Sequence, residues 1–113
     1  MKPERIQLKR TKGWKMPPNT VKVDRTSTVY GNDFRIGHPV PKLFLHMDFD
    51  LADTFRYMNE AVVTDASEAV RLFRSYGLPN AKDIAALRGK NLACWCKPGE
   101  PCHADVLLEI ANR

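Results

Sequence analysis

Cys94, Cys96 and Cys102 are all the cysteines of this chain, and His103 and Asp105 stand directly beside them. Thiols, an imidazole and a carboxylate so close together can do two kinds of chemistry. Cys102, His103 and Asp105 form a candidate catalytic trio, with His103 or Asp105 as acid or base and Cys102 as nucleophile or hydrogen-bonding wall. Cys94, Cys96, Cys102 and His103 also make up the donor set of a structural zinc site. The plain alternative is that the cysteines are small buried hydrophobes. Zinc meets a geometric difficulty, because residues i and i+2 of a regular strand hold their Cβ atoms roughly 6.6 Å apart. Two sulfurs on one tetrahedral zinc sit about 3.8 Å apart, so a zinc site needs a bend at Cys96 and an irregular start to the following helix.

The elements that must position these groups are readable. Leu92, Cys94 and Cys96 alternate with Ala93 and Trp95, which predicts a strand over 91–96 with the thiols on one face and the indole on the other. Lys97 to Pro101 contains two prolines and a glycine, so the chain turns there. From Cys102 onward Val106, Leu107 and Ile110 recur at helical spacing, and one turn earlier His103 joins the same inward stripe. Such a strand-to-helix corner offers free backbone N–H groups and the positive end of a helix dipole, which attract anions and lower a thiol's pKa.

Upstream, Arg5-Ile6-Gln7-Leu8-Lys9 reads as a short edge strand and Thr20 to Arg25 as a second strand with Val21 and Val23 facing inward. Between Thr26 and Gly37 runs a polar loop whose Gly31-Asn32 pair suits close approach of backbone to a ligand, with Asn32 supplying donor and acceptor. The bland reading of Gly31-Asn32 is a tight turn. Leu43, Leu45 and Met47 alternate with Phe44 and His46 as a brief strand, and Leu51, Phe55, Met58 and Val62 have helical spacing. His38 and His46 are expected at the surface or in packing. Asp65 and Glu68 have capping-box spacing ahead of a helix with Ala66, Ala69, Val70 and Phe73 on its buried stripe. Gly77-Leu78-Pro79 ends it, and Asn80 caps a short helix carrying Ile84 and Leu87 up to Gly89.

This order predicts an α/β fold: one domain over residues 1–113, with a small mixed sheet covered by helices and a C-terminal strand-loop-helix corner. With 113 residues, 43% of them hydrophobic, the chain suits one core. An unpairable third cysteine, and no apolar stretch of signal or membrane-span type, point to a reducing, cytoplasmic setting without membrane contact. No internal repeat is present. The net charge of +5 is uneven: residues 1–35 carry nine Lys/Arg against three acids, whereas the remainder is close to neutral. Residues 2–25, with Trp14 among Lys2, Arg5, Lys9, Arg10, Lys12 and Lys15, therefore offer a nucleic-acid contact, set against the simpler role of a solvated surface.

Two stretches together resemble a known family. Tyr30-Gly31-Asn32-Asp33-Phe34-Arg35-Ile36-Gly37 is similar to its Trp-Gly-Asn-Pro-Phe loop. Leu87 through Cys96, followed by Cys102-His103-Ala104-Asp105-Val106-Leu107, is similar to its terminal signature. The family is small, bacterial and phage-borne, and known only as a domain of unknown function. The likeness runs from Arg5 to Asn112, with Asp33 in place of the usual proline and Tyr30 in place of the usual tryptophan. It implies a fold more than a reaction. The segment 38–63 is longer than the family's link and suits a lid or a protein-partner surface.

In open α/β sheets ligands gather at the carboxyl ends of strands. Arg25, Gly31, Asn32 and Cys96 are accordingly the expected binding residues, with Cys102, His103 and Asp105 the catalytic candidates. They share one cleft if the strands ending near Arg25 and Cys96 are parallel neighbours. The expected ligand is an anionic small molecule, a nucleotide in particular, with hydrolase or transferase chemistry an open addition and no cofactor required. The alternative is a non-catalytic module built on zinc held by Cys94, Cys96, Cys102 and His103, contacting nucleic acid or protein.

Overall fold

A computed structural model describes residues 3–40, 50–59 and 61–113. The alternation read over Leu43, Phe44, Leu45, His46 and Met47 lies outside the described residues. Two compact units make up the chain: Met1–Gly31 with Pro79–Arg113, and Asn32–Leu78.

The first unit contains a three-stranded sheet of β1 (Arg5–Gln7), β2 (Thr20–Lys22) and β3 (Asn91–Cys94), in the order β1-β3-β2. Both pairings are parallel, so the described sheet is parallel throughout, with β3 in the middle and β1 at an edge. A central strand of a parallel sheet is covered on both faces and needs apolar residues on both. Leu92, Ala93 and Cys94 meet that need, each almost fully buried. The ladder continues past the named strands, because Leu8 N–H donates to the Cys94 carbonyl and Val23 N–H to the Ala93 carbonyl, both at 2.8 Å. Val23 is fully buried.

Two helices accompany this sheet, α3 (Ala81–Ala85) and α4 (His103–Ala111), numbered after the two helices of the second unit. Asn80 caps α3 by accepting the Asp83 N–H at 2.8 Å, and Gly89, at φ +76°, turns the chain into β3. Helix α4 packs on β3 and β1 through a stripe that includes His103, Val106 and Leu107, all buried.

In the second unit, α1 (Leu51–Met58) and α2 (Ala66–Leu72) are capped by Asp50 and Asp65. A π-helical turn, Phe73–Gly77, follows α2. Helix α1 is turned opposite to the usual arrangement. Its buried side chains are Asp53 and Tyr57, while Leu51, Phe55 and Met58 are 86%, 74% and 68% exposed. Polar bonding accounts for the inward face: Arg71 reaches both oxygens of Asp53 at 3.0 and 3.2 Å, Tyr76 donates to Asp53 at 2.7 Å, and Tyr57 donates to Glu68. A buried carboxylate is tolerable only with such partners.

Candidate metal centre

Strand β3 ends at Cys94, and a bend at Trp95 takes Cys96 out of the regular strand. The geometric difficulty with zinc is thereby removed, because the strand spacing no longer applies to Cys96. On the other side of the turn, Cys102 is the N-cap of α4, in extended conformation at φ −149° and ψ 140°. It therefore precedes the first helical turn, and its thiol points back to the end of the sheet. The three sulfurs lie within 4.8 Å of one another, with Cys94 and Cys102 buried and Cys96 half-buried. Cys94 Sγ and Cys102 Sγ touch at 3.0 Å.

This triangle corrects the expectation that the site needs no cofactor. Three thiol sulfurs gathered at one point can hold a metal ion, which points toward zinc. Sulfurs sharing a tetrahedral zinc stand about 3.8 Å apart, so the Cys94–Cys102 pair has to open by less than an ångström to admit one.

The thiols hold one another's protons unequally. Hydrogen bonds from Cys102 and Cys94 push the Cys96 thiol far below the ordinary range against the effect of burial, helped by the charge of Arg5. At Cys94 the bond with Cys102 pulls down, but the bond with Cys96 and burial outweigh it and push that thiol up to about 11. Bonds with Cys94 and Cys96, together with burial, push Cys102 up. One thiolate at Cys96 and two thiols beside it make a landing point for a soft cation.

His103 lies beside the triangle. Its Nε2 is 2.6 Å from the Val23 carbonyl, which fixes a proton on that nitrogen, and its Nδ1 is 3.9 Å from Cys102 Sγ. Burial lowers the imidazole's pKa against the opposing pull of the Val23 carbonyl, so the ring is neutral at pH 7. Metal-bound histidines commonly donate their second nitrogen to a backbone carbonyl in this manner.

Asp105 sits on the exposed side of α4 and pairs with Arg5 at 2.9 Å. The same guanidinium donates to the Lys97 carbonyl at 3.0 Å and the Glu100 carbonyl at 2.8 Å. Arg5 thus spans the turn between Cys96 and Cys102. Sequence reasoning missed it, since nothing local distinguishes Arg5 from its basic neighbours. Arg25 is exposed just after β2, close enough to disfavour a cationic His103. β2 and β3 are parallel neighbours as the shared-cleft argument required. Gly31 is packed against backbone: a Cβ there would lie 2.6 Å from the Ser27 carbonyl and 2.8 Å from that of Asp24. Asn32 belongs to the second unit, where it donates to the Ala69 carbonyl and accepts from Phe34 N–H.

A family model for a domain of unknown function, DUF4326, matches residues 6–113. The chain belongs to the DUF4326 family. Comparison with curated proteins and with solved structures finds no match. The DUF4326 span takes in the thiol triangle and all three strands apart from Arg5. Among the described residues no helix of this DUF4326 chain is long and apolar enough to cross a membrane.

Proposed function

We propose that this DUF4326 chain is a metal-binding module in which Cys94, Cys96 and Cys102 hold one zinc ion, with His103 Nδ1 as the fourth donor. The observation that carries the reading is the convergence of three sulfurs to within 4.8 Å of one another. Softness of the donors favours zinc over magnesium or calcium, which take oxygen ligands. Two structural features suit a thiolate centre. The positive end of α4 begins next to Cys102, and the Arg5 guanidinium lies near Cys96. Both offset the net negative charge of three thiolates on a divalent ion. The metal would lock the sheet's central strand to the start of α4, in a small unit where such a staple matters most.

Protein purified without added metal should carry close to one zinc per chain by elemental analysis. Cobalt titrated into the stripped, reduced chain should give thiolate-to-cobalt charge-transfer absorption and the visible bands of a tetrahedral site. Because Cys94 and Cys102 are protonated beforehand, binding should release about two protons. No zinc on the isolated protein, together with no charge-transfer band on titration, would sink the reading. In His103→Ala, a shifted visible spectrum confirms the ring nitrogen as ligand, whereas an unchanged one removes His103 and leaves the three cysteines.

A further inference from the structure

Parallel strands end on one side of their sheet, and here three chain segments leave that side together. β1 runs on through Leu8 to Lys9 and Arg10, β2 through Val23 to Asp24 and Arg25, and β3 into Trp95. Trp95 stands at the bend where β3 ends. Its Nε1 donates to Asp24 Oδ2 at 2.8 Å, and Asp24 is only 5% exposed. The other Asp24 oxygen accepts from the Thr26 N–H and hydroxyl, so the carboxylate is a fixed post. Burial alone would raise its pKa, but bonds from Thr26 and Trp95 and the nearby Lys22 hold it below the usual carboxylate value.

The indole is therefore anchored by its polar edge while 43% of the residue remains in solvent. The Arg10 guanidinium lies over its ring, 5.0 Å from the centroid, and Lys22 Nζ is 3.8 Å from Asp24 Oδ2. Held aromatic surface flanked by cations at the carboxyl end of a parallel sheet has a natural complement. The flat face accepts a π system, and the cations accept phosphate.

We infer that Trp95, with Arg10 and Lys22, forms a stacking site for a nucleobase joined to phosphate. The base lies on the indole, and the exposed Arg10 side chain moves from the ring to the phosphate. Asp24 keeps the indole at a fixed angle and so acts as a positioning residue. A neutral sugar would use the indole but not the cations, and a bare polyanion would use the cations but not the indole. Nothing in this inference depends on the metal.

The test uses the full chain in a Trp14→Phe background, so that fluorescence reports Trp95 alone. Three probes are titrated: adenosine monophosphate, a ten-nucleotide single-stranded oligothymidylate, and tripolyphosphate as charge without a base. Quenching that saturates with either base-bearing probe, and more weakly with tripolyphosphate, is the expected result. Saturation by the mononucleotide marks a nucleotide pocket, and saturation by the oligomer alone marks a strand-binding site. Trp95→Leu, followed by polarisation of a labelled probe, should weaken binding roughly 5- to 100-fold, and Trp95→Phe, which keeps an aromatic face, should weaken it less. Arg10→Gln should flatten the salt dependence of oligomer binding. Tripolyphosphate binding as tightly as both base-bearing probes would overturn the inference. So would undiminished binding by a folded Trp95→Leu, or no saturation by either base-bearing probe at millimolar concentration.

Discussion

Arg5 and Asp105 are one hundred positions apart in the chain and 2.9 Å apart in space. Together with the bonds from Arg5 to the Lys97 and Glu100 carbonyls, this pairing ties an edge strand to the turn and helix that carry two of the three thiols. The Arg5 side chain is 12% exposed, so its bonds are shielded, whereas Asp105 is 56% exposed and adds less.

Replacing Arg5 by alanine should lower unfolding free energy by about 1–3 kcal/mol. Lysine should recover under half of that, because one ammonium cannot reproduce a forked donor. Urea midpoints measure both. A loss below about 0.5 kcal/mol, the scale of ordinary surface changes, would show that the clamp is idle.

Asp53 gives the stability a defined response to acid. Hydrogen bonds from Arg71 hold its carboxyl below the ordinary value against the effect of burial, with Tyr76 helping. A depressed folded pKa means that the stabilisation is complete above the unfolded value of about 3.9 and drains as pH falls through the lower folded value. Asp53→Asn should therefore cost about 1–3 kcal/mol at pH 7, and the gap from the parent should narrow below pH 4. Thermal melts from pH 7 to 2.5 decide; a gap that stays constant throughout contradicts the pairing.

Gly31→Ala should destabilise by about 1–3 kcal/mol through overpacking, since the added methyl would meet two carbonyl oxygens closer than 3.0 Å. Gly31 is thus a packing glycine. Gly13→Ala is the control: nothing lies within 4 Å of its Cβ position, and only its φ of +85° is strained. If the two variants melt alike, the contact at Gly31 is not what limits the position.

Metal should protect the thiols from oxidation. In stripped protein, a diazene oxidant, itself reduced to the hydrazine, should react first at the half-buried Cys96 thiolate and join that sulfur to one of the two thiols within 4.8 Å of it. Alkylation under denaturing conditions and mass spectrometry should then find Cys96 in the disulfide and one of Cys94 and Cys102 free. Prior zinc loading should slow the reaction markedly, and equal rates with and without zinc would argue against sulfur coordination.

The local signals in the chain are faithfully realised. Asp65 and Asn80 cap the helices they were expected to cap, Gly89 ends its segment, and Leu92-Ala93-Cys94 is a buried strand. Each depends on residues within a few positions. The bend at Trp95 was not visible, because alternation continues through Cys96 and the turn residues begin only at Lys97. Nor could the spacing of Leu51, Phe55 and Met58 say which way the helix faces. That direction is set by Arg71 and Tyr76 reaching Asp53 from elsewhere in the chain. Arg5 with Asp105, and Trp95 with Asp24, are pairings across 100 and 71 positions, and composition cannot single out either partner.

The position of β3 between β1 and β2 has a consequence for biosynthesis. Among the described residues, neither early strand has a partner strand until the ribosome has added residues 91–94. β1 and β2 thus wait for the strand that lies between them. Sheet closure and assembly of the thiol triangle then become a single late event, completed only when Cys102 has left the exit tunnel.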